Sequence, residues 1–261
     1  MPMFIGTSGW QYRHWRETFY PREVAQARWL EFYADRFDTV ESNAAFYNLP
    51  TKQVFESWRD RTPADFVWAV KVSRFLTHIK RLRDPAEPVE RFVSHARGLG
   101  DKFGCALLQL PPQLEVDIDR LEACLAEFPA DVRVAVEFRH KSWWTADVEE
   151  VLKRHRAALC WADRLRPISP LWRTADWGYL RFHQGRSAPR PCYGEEALTG
   201  WISRINEVMP RDQDLFVYFN NDFRACALRD AIVFARLGRR AGWEVSGVPE
   251  LNEVRVATYR S

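Results

Sequence analysis

The residues of this chain best suited to chemistry are Glu41, Lys71, Glu137, Asp163 and His183. Three carboxylates, an amine and an imidazole supply the groups that general acid–base or nucleophilic catalysis draws on. Each falls at or near the end of a short apolar run. Glu41 follows DTV, Lys71 follows FVWAV, Glu137 follows VRVAV, Asp163 follows AALCWA and His183 closes GYLRFH. Asn43, Gln109, Arg139, Arg181 and Asn220 stand at comparable places and suit substrate binding. Glu137 and Arg139 are two residues apart, as are Arg181 and His183, so strand alternation sends each pair to one face. A structural ion pair at a strand end is the plainer reading of Glu137 and Arg139. Two desolvated ions are a poor choice for stability alone, however, unless they are well paired.

The elements that must carry these residues can be read from periodicity. Apolar, β-branched segments predict strands at 3–9, 38–43, 66–72, 105–110, from 132 to about 137, 157–163, 178–183 and 214–221. Helical spacing predicts helices at 25–36, 51–61, 90–102, 117–128, 148–155, 194–208 and 225–238, with Thr51 capping the second and Ser142 or Thr145 the fifth. AAFYNLP (44–50) and 73–88 read as loops. Strands alternating with helices or long crossovers indicate a parallel α/β protein. Eight such units in 261 residues fit an eight-stranded parallel β/α (TIM-type) barrel forming one domain over 1–261. The polar strand ends would then converge on one mouth. A doubly wound sheet is disfavoured because Gly6-Thr7-Ser8-Gly9 is followed by Trp10 and Tyr12, too bulky for a dinucleotide-binding turn.

Net charge is +3, so the chain as a whole is no nucleic-acid coat. The N-terminal MPMFIGTSGW lacks the pattern of a signal peptide, no apolar run is long enough for a bilayer, and the five cysteines include no C-x-x-C pair. These features predict a cytoplasmic protein with reduced, mostly buried thiols. The loops after the strands are basic: Arg13, Arg16, Arg22, Arg74, Lys80, Arg81, Arg83, Lys141, Arg164, Arg166, Arg173, Arg186, Arg190 and Arg224 outnumber Glu17, Glu23, Asp84, Asp176 and Asp222. Trp10, Tyr12, Trp15, Phe46, Tyr47, Trp143, Trp144, Trp172 and Tyr193 are interleaved with them. Of the loop residues, Trp10, Tyr47, His78 and Trp143 are the expected substrate contacts. Stacking rings among cations suit a nucleotide, a nucleic acid or a phosphorylated sugar.

The runs GTSGWQY, FYP, VESNAAFYNLP, AVKVSRFLTHIKRL, LLQLPP, AVEFRHKSWW, YLRFHQG and YFNND resemble the YecE-like family, domain of unknown function 72, from residue 5 to about residue 237. The resemblance implies a β/α barrel with a polar site; it implies no particular reaction. Polar residues matching the motifs include Glu41, Asn43, Tyr47, Lys71, Thr77, His78, Gln109, Glu137, Arg139, Ser142, Trp143, Asp163, Arg181, His183, Asn220 and Asp222. The chain departs from the pattern at Ala45, Asn48 and Gln184.

The chemistry allows several outcomes. Glu41, Glu137, Asp163 and His183 could hold a divalent ion, and magnesium or manganese suits such oxygen donors better than zinc, which wants more His or Cys. Lys71, Arg139 and Arg181 would crowd a dication, so no cofactor and no metal ligand is assigned. Without metal, Glu137 or Glu41 is the candidate base, with Lys71 or His183 as acid. Lys71 is also either a Schiff-base amine or the plain ion-pair partner of Glu41 or Glu137. The first expectation is an enzyme, a hydrolase or isomerase, acting on an anionic, phosphate-bearing small molecule. The second is nucleic-acid binding or processing at the same mouth, and the third a non-catalytic binding module. No membrane association is expected.

Overall fold

The computed structural model describes residues 2–164, 169–188 and 190–254. Arg166, among the basic loop residues above, lies outside them. Eight parallel strands, β1 (Met3–Thr7), β2 (Thr39–Ser42), β3 (Val67–Lys71), β4 (Phe103–Gln109), β5 (Val134–Glu137), β6 (Ala158–Asp163), β7 (Gly178–Phe182) and β8 (Leu215–Phe219), lie side by side in the order β1-β8-β7-β6-β5-β4-β3-β2. Among the described residues eight helices run between or after them: α1 (Trp29–Ala34), α2 (Ala44–Tyr47), α3 (Lys52–Asp60), α4 (Ala86–Ala96), α5 (Ile118–Ala126), α6 (Ala146–Arg154), α7 (Glu195–Val208) and α8 (Cys226–Arg240). The expected β/α barrel is formed. Among the described residues no helix is long and apolar enough to cross a membrane.

The barrel is nearly closed, and its seam lies between β1 and β2. A single bridge, Ser8 to Glu41, joins them in place of a full ladder. The Tyr33 hydroxyl from α1 is inserted in the gap. It accepts from Thr7 N at 3.1 Å and donates to Thr39 O at 3.1 Å, satisfying two backbone groups that the missing ladder would have paired. Gly6 permits the close approach, since a Cβ there would stand 2.3 Å from Thr39 O.

Alternation divides the strand residues into two sets. One faces the helices: Val40, Trp68, Val70, Leu108, Val136, Leu159, Trp161, Leu180 and Phe182 join the outer core. The other fills the barrel: Ala69, Cys105, Ala135, Ala158 and Cys160 are small and Leu107 joins them, while Tyr179, Phe216 and Tyr218 oppose them with rings. An eight-stranded barrel is just wide enough for its own side chains, so small and large walls complement each other and the floor is solid. Only above these rings does the interior become polar, and that level is where the strands end.

Local details differ from the expectations. AAFYNLP begins with the short helix α2. Residues 73–88 contain a π turn, Phe75–Ile79, followed by positive φ at Arg81, Leu82 and Asp84. Thr145, whose hydroxyl accepts from Val148 N, is the cap of α6. Ser142 instead accepts from Val116 N at 2.8 Å, tying the loop after β5 to that after β4. The expectation that all five cysteines are reduced is overturned. Cys192, in the loop after β7, forms a disulfide with Cys226 at the start of α8, Cα to Cα 4.8 Å, while Cys105, Cys124 and Cys160 are buried thiols. The two partners lie 34 residues apart, and only the fold brings them together. Arg173, counted with the mouth loops, bonds Gln213 just before β8 and therefore belongs to the opposite end of the barrel.

Candidate functional site

Inward-facing positions at the strand ends converge on Arg181. Its guanidinium is 1% exposed and donates through Nη2 to Glu41 Oε1 at 2.7 Å and through Nη1 to Glu137 Oε2 at 2.5 Å and Gln109 Oε1 at 3.1 Å. Arg139 Nε donates to the other Glu137 oxygen at 3.1 Å, and its Nη2 donates to Gln109 Oε1 at 2.7 Å. The Tyr179 hydroxyl donates to the second Glu41 oxygen at 2.6 Å. Both carboxylates are fully buried with both oxygens engaged, so the base role expected of Glu41 and Glu137 has no free oxygen facing the mouth. Burial alone would raise the Glu137 carboxyl, but Arg181, His183 and Arg139 outweigh it and hold it well below the usual carboxylate range.

His183 Nε2 lies 3.2 Å from Glu137 Oε1 without the alignment of a good hydrogen bond, and its Nδ1 meets the Asn220 amide nitrogen at 3.1 Å. Burial lowers its pKa despite the pull of Glu137, so the imidazole is neutral near neutral pH and the contact is not a full ion pair.

Lys71, inward at the end of β3, is 8% exposed. The plain ion pair weighed for it is not formed. Arg181, Arg139 and Tyr179 have taken the oxygens of both glutamates, and among the described residues no carboxylate lies within ion-pair distance of its Nζ. The ammonium stands 3.8 Å over the ring centre of Phe46 instead. Burial and the Arg181 guanidinium push its pKa down to about 7, with Glu137 and Glu41 pulling the other way. His78 meets the same Phe46 ring edge-on and is pushed down to about 4 by burial, Lys71 and Arg139.

Above this layer lies a cavity of about 640 Å³ lined by Tyr12, Asn43, Phe46, Tyr47, Lys71, Arg74, His78, Gln109, Arg139, Arg181 and Asn220. Eight of the fourteen expected site residues line it. Glu41, Glu137 and His183 belong to the layer that holds them. Three fall elsewhere. Asp163 has the parity of Leu159 and Trp161, faces the helices and accepts from Trp201 Nε1 at 2.6 Å. Trp10 packs edge-on against Trp58 and Trp68, with ring centres 5.3 Å away in both cases. Trp143 is fully buried, stacks on Phe138 and donates to Leu114 O at 2.8 Å. With Asp163 turned away and both glutamates held by Arg181, the four residues weighed as metal ligands do not form a donor set. Among the described residues no cluster of three or more His, Cys, Asp or Glu is arranged to hold an ion.

Sequence reasoning missed Tyr12, Phe46 and Arg74 as lining residues. Tyr12 and Phe46 had been noted only as loop aromatics, and nothing local separates a ring that faces a cavity from one that packs a loop. It also missed the contact between His14 Nε2 and Asp222 Oδ2, 2.7 Å, which joins the first loop to the last at the rim. Of the interleaved aromatics, Trp10, Trp15, Trp143 and Tyr193 are packing residues, whereas Tyr47, 74% exposed, projects from the rim.

The family model described as "Protein of unknown function DUF72" matches residues 4–253. The chain belongs to the DUF72 family. It is similar to UPF0759 protein YunF of Bacillus subtilis (strain 168), 26% identical over 254 residues, covering 84% of this chain and 89% of that protein. Among solved DUF72 structures, one from Thermotoga maritima MSB8 is 28% identical with a TM-score of 0.80, covering 92% of this chain and 100% of that one. Another, from Enterococcus faecalis V583, is 18% identical with a TM-score of 0.75, covering 90% of this chain and 94% of that one; at that identity the likeness concerns fold alone. The DUF72 barrel is thus shown from both sequence and structure, while the chemistry of this member rests on its own pocket.

Proposed function

We propose that the mouth cavity binds a small anionic molecule carrying a phosphate or carboxylate, and that the protein is an enzyme acting on it. The observation that carries this reading is the composition of the wall. Lys71, Arg74, Arg139 and Arg181 all line it and, among the described residues, no Asp or Glu side chain does. Its volume lies within the roughly 300–1,000 Å³ typical of small-molecule sites. Arg181 is largely spent on the two glutamates, but Arg139 uses only part of its donor fork on Glu137 and Gln109. The remaining donors, with exposed Arg74, suit an anion held by charge-assisted bonds. Calorimetric titration with inorganic phosphate and glycerol 3-phosphate checks this. Arg139→Ala should weaken the phosphorylated ligand about tenfold or more, because a hydrogen bond to a charged group contributes roughly 1.5–3 kcal/mol. Absence of binding, or an affinity indifferent to Arg139 and Arg74, would refute the reading.

A second reading, a single-stranded nucleic acid, draws support from the rim. Tyr47, Phe75 and Phe223 expose their rings there, and Phe75 directly follows Arg74 and stands close in sequence to Arg81 and Arg83. In an oligonucleotide titration, log affinity should then fall with log salt by about 0.7 per phosphate contact. Replacing Lys80, Arg81 and Arg83 together should flatten that slope, while Arg139→Ala leaves it nearly unchanged. No binding at low salt removes this second reading.

A further inference from the structure

We propose that Lys71 is a covalent catalyst, forming an imine with the carbonyl carbon of an aldehyde or ketone whose anionic group is held by Arg139 and Arg74. This deepens the small-anion reading and rests on it. A lysine used merely as a charge is usually paired, whereas here the pairing has been prevented by construction. Arg181 occupies one oxygen of each glutamate, and Tyr179 and Arg139 occupy the others. Lys71 is left facing the cavity with the Phe46 face against its Nζ and, among the described residues, no carboxylate within ion-pair distance. An amine in such a place gives up its proton near neutrality rather than near pH 10, because desolvation and neighbouring guanidiniums both oppose its charge, and the unprotonated amine is the nucleophile.

The step balances without a further reagent. The Lys71 nitrogen lone pair forms the bond to the carbonyl carbon, and the carbonyl π pair moves to oxygen, which takes up a proton. The nitrogen has then given up one proton. Its lone pair next closes the C=N bond as the oxygen, protonated again, departs as water, and the nitrogen's second proton leaves to solvent or to neutral His78, which lines the same cavity. The wall cations would stabilise the electron-rich oxygen during addition.

Pyridoxal 5′-phosphate and unphosphorylated pyridoxal are suitable probes, each trapped with borohydride and mapped by peptide mass spectrometry on the full chain. The phosphate probe should label Lys71 at least about tenfold faster than any other lysine near pH 8, where an ordinary lysine is under about 1% unprotonated. Inorganic phosphate should protect, and Lys71→Arg should lose that adduct alone. If Lys71 stays unlabelled while phosphate still binds by calorimetry, the imine proposal fails and the anion site stands. If pyridoxal labels Lys71 as fast as its phosphate and phosphate gives no protection, the amine chemistry stands and the anion reading fails. Failure of both labelling and phosphate binding overturns both.

Discussion

Replacing Arg181 with methionine is expected to destabilise the protein by about 3–5 kcal/mol near pH 7, the largest loss of any single substitution at the mouth, because it strands two buried carboxylates. Arg181 is the common donor to Glu41 and Glu137, both fully buried. Glu137 would retain Arg139, whereas Glu41 would retain only the Tyr179 hydroxyl. The deficit should shrink in acid, and its sign can be worked out. In the native protein the Glu137 pKa is depressed below its ordinary 4.5, so its contribution is present above that value and lost as pH falls through the folded pKa. Without Arg181, burial dominates at Glu137 and its carboxyl prefers to be protonated, so lowering the pH from 7 to 5 relieves the variant while the wild type keeps its Glu137 contribution. Urea denaturation of both proteins near pH 7 and near pH 5 measures the difference. A variant as stable as the wild type near neutrality would mean that the glutamates are solvated or otherwise paired.

Lys71→Met should have the opposite effect. Its folded pKa of about 7 lies below the ordinary 10.5, so between those values the native state binds fewer protons than the unfolded chain and stability rises with pH across that window. At and below about pH 7 the protein carries nearly the full cost, and removing the amine should stabilise it by roughly 4–5 kcal/mol, since each unit of displacement corresponds to ~1.4 kcal/mol. Methionine fills similar space over Phe46 without a charge. The gain should vanish as pH rises toward 10, and the anion affinity of the pocket should drop at the same time. Stability bound up in a functional cation has this signature, because the group is kept at a cost that only binding or catalysis repays. A loss of stability near pH 7 would show that Lys71 has a favourable partner in solution.

Much of the barrel was legible locally. The eight strand segments and most helices follow from β-branched runs, period-two and helical spacing, and turn residues, all short-range properties. The family motifs reinforced the same count. Helix ends were less legible: 25–36 splits into a 3₁₀ turn, Gln26–Arg28, and α1, and 90–102 is α4 extended by a 3₁₀ stretch, Arg97–Lys102. The set of polar strand ends was also readable, and eleven of the fourteen expected site residues, loop contacts included, line the cavity or the layer beneath it.

Asp163 shows where reading one residue at a time fell short. Its strand places Ala158 and Cys160 inside, so Asp163, three residues beyond Cys160, faces out with Leu159 and Trp161. That parity was present in the sequence, because bulky Leu and Trp belong against helices and small residues belong across from barrel rings. Trp10 and Trp143 carried no such signal, since an aromatic in a loop is read alike whether it stacks on a ligand or on its neighbours. The sequence by itself determined the alternation of strands and helices, the face of most inward residues and the excess of cations near the strand ends. Only the tertiary structure decided how the charges were shared. Which carboxylate meets which guanidinium, that Lys71 goes without one, and that Cys192 meets Cys226 depend on distances between segments far apart in the chain, and no local pattern fixes those distances.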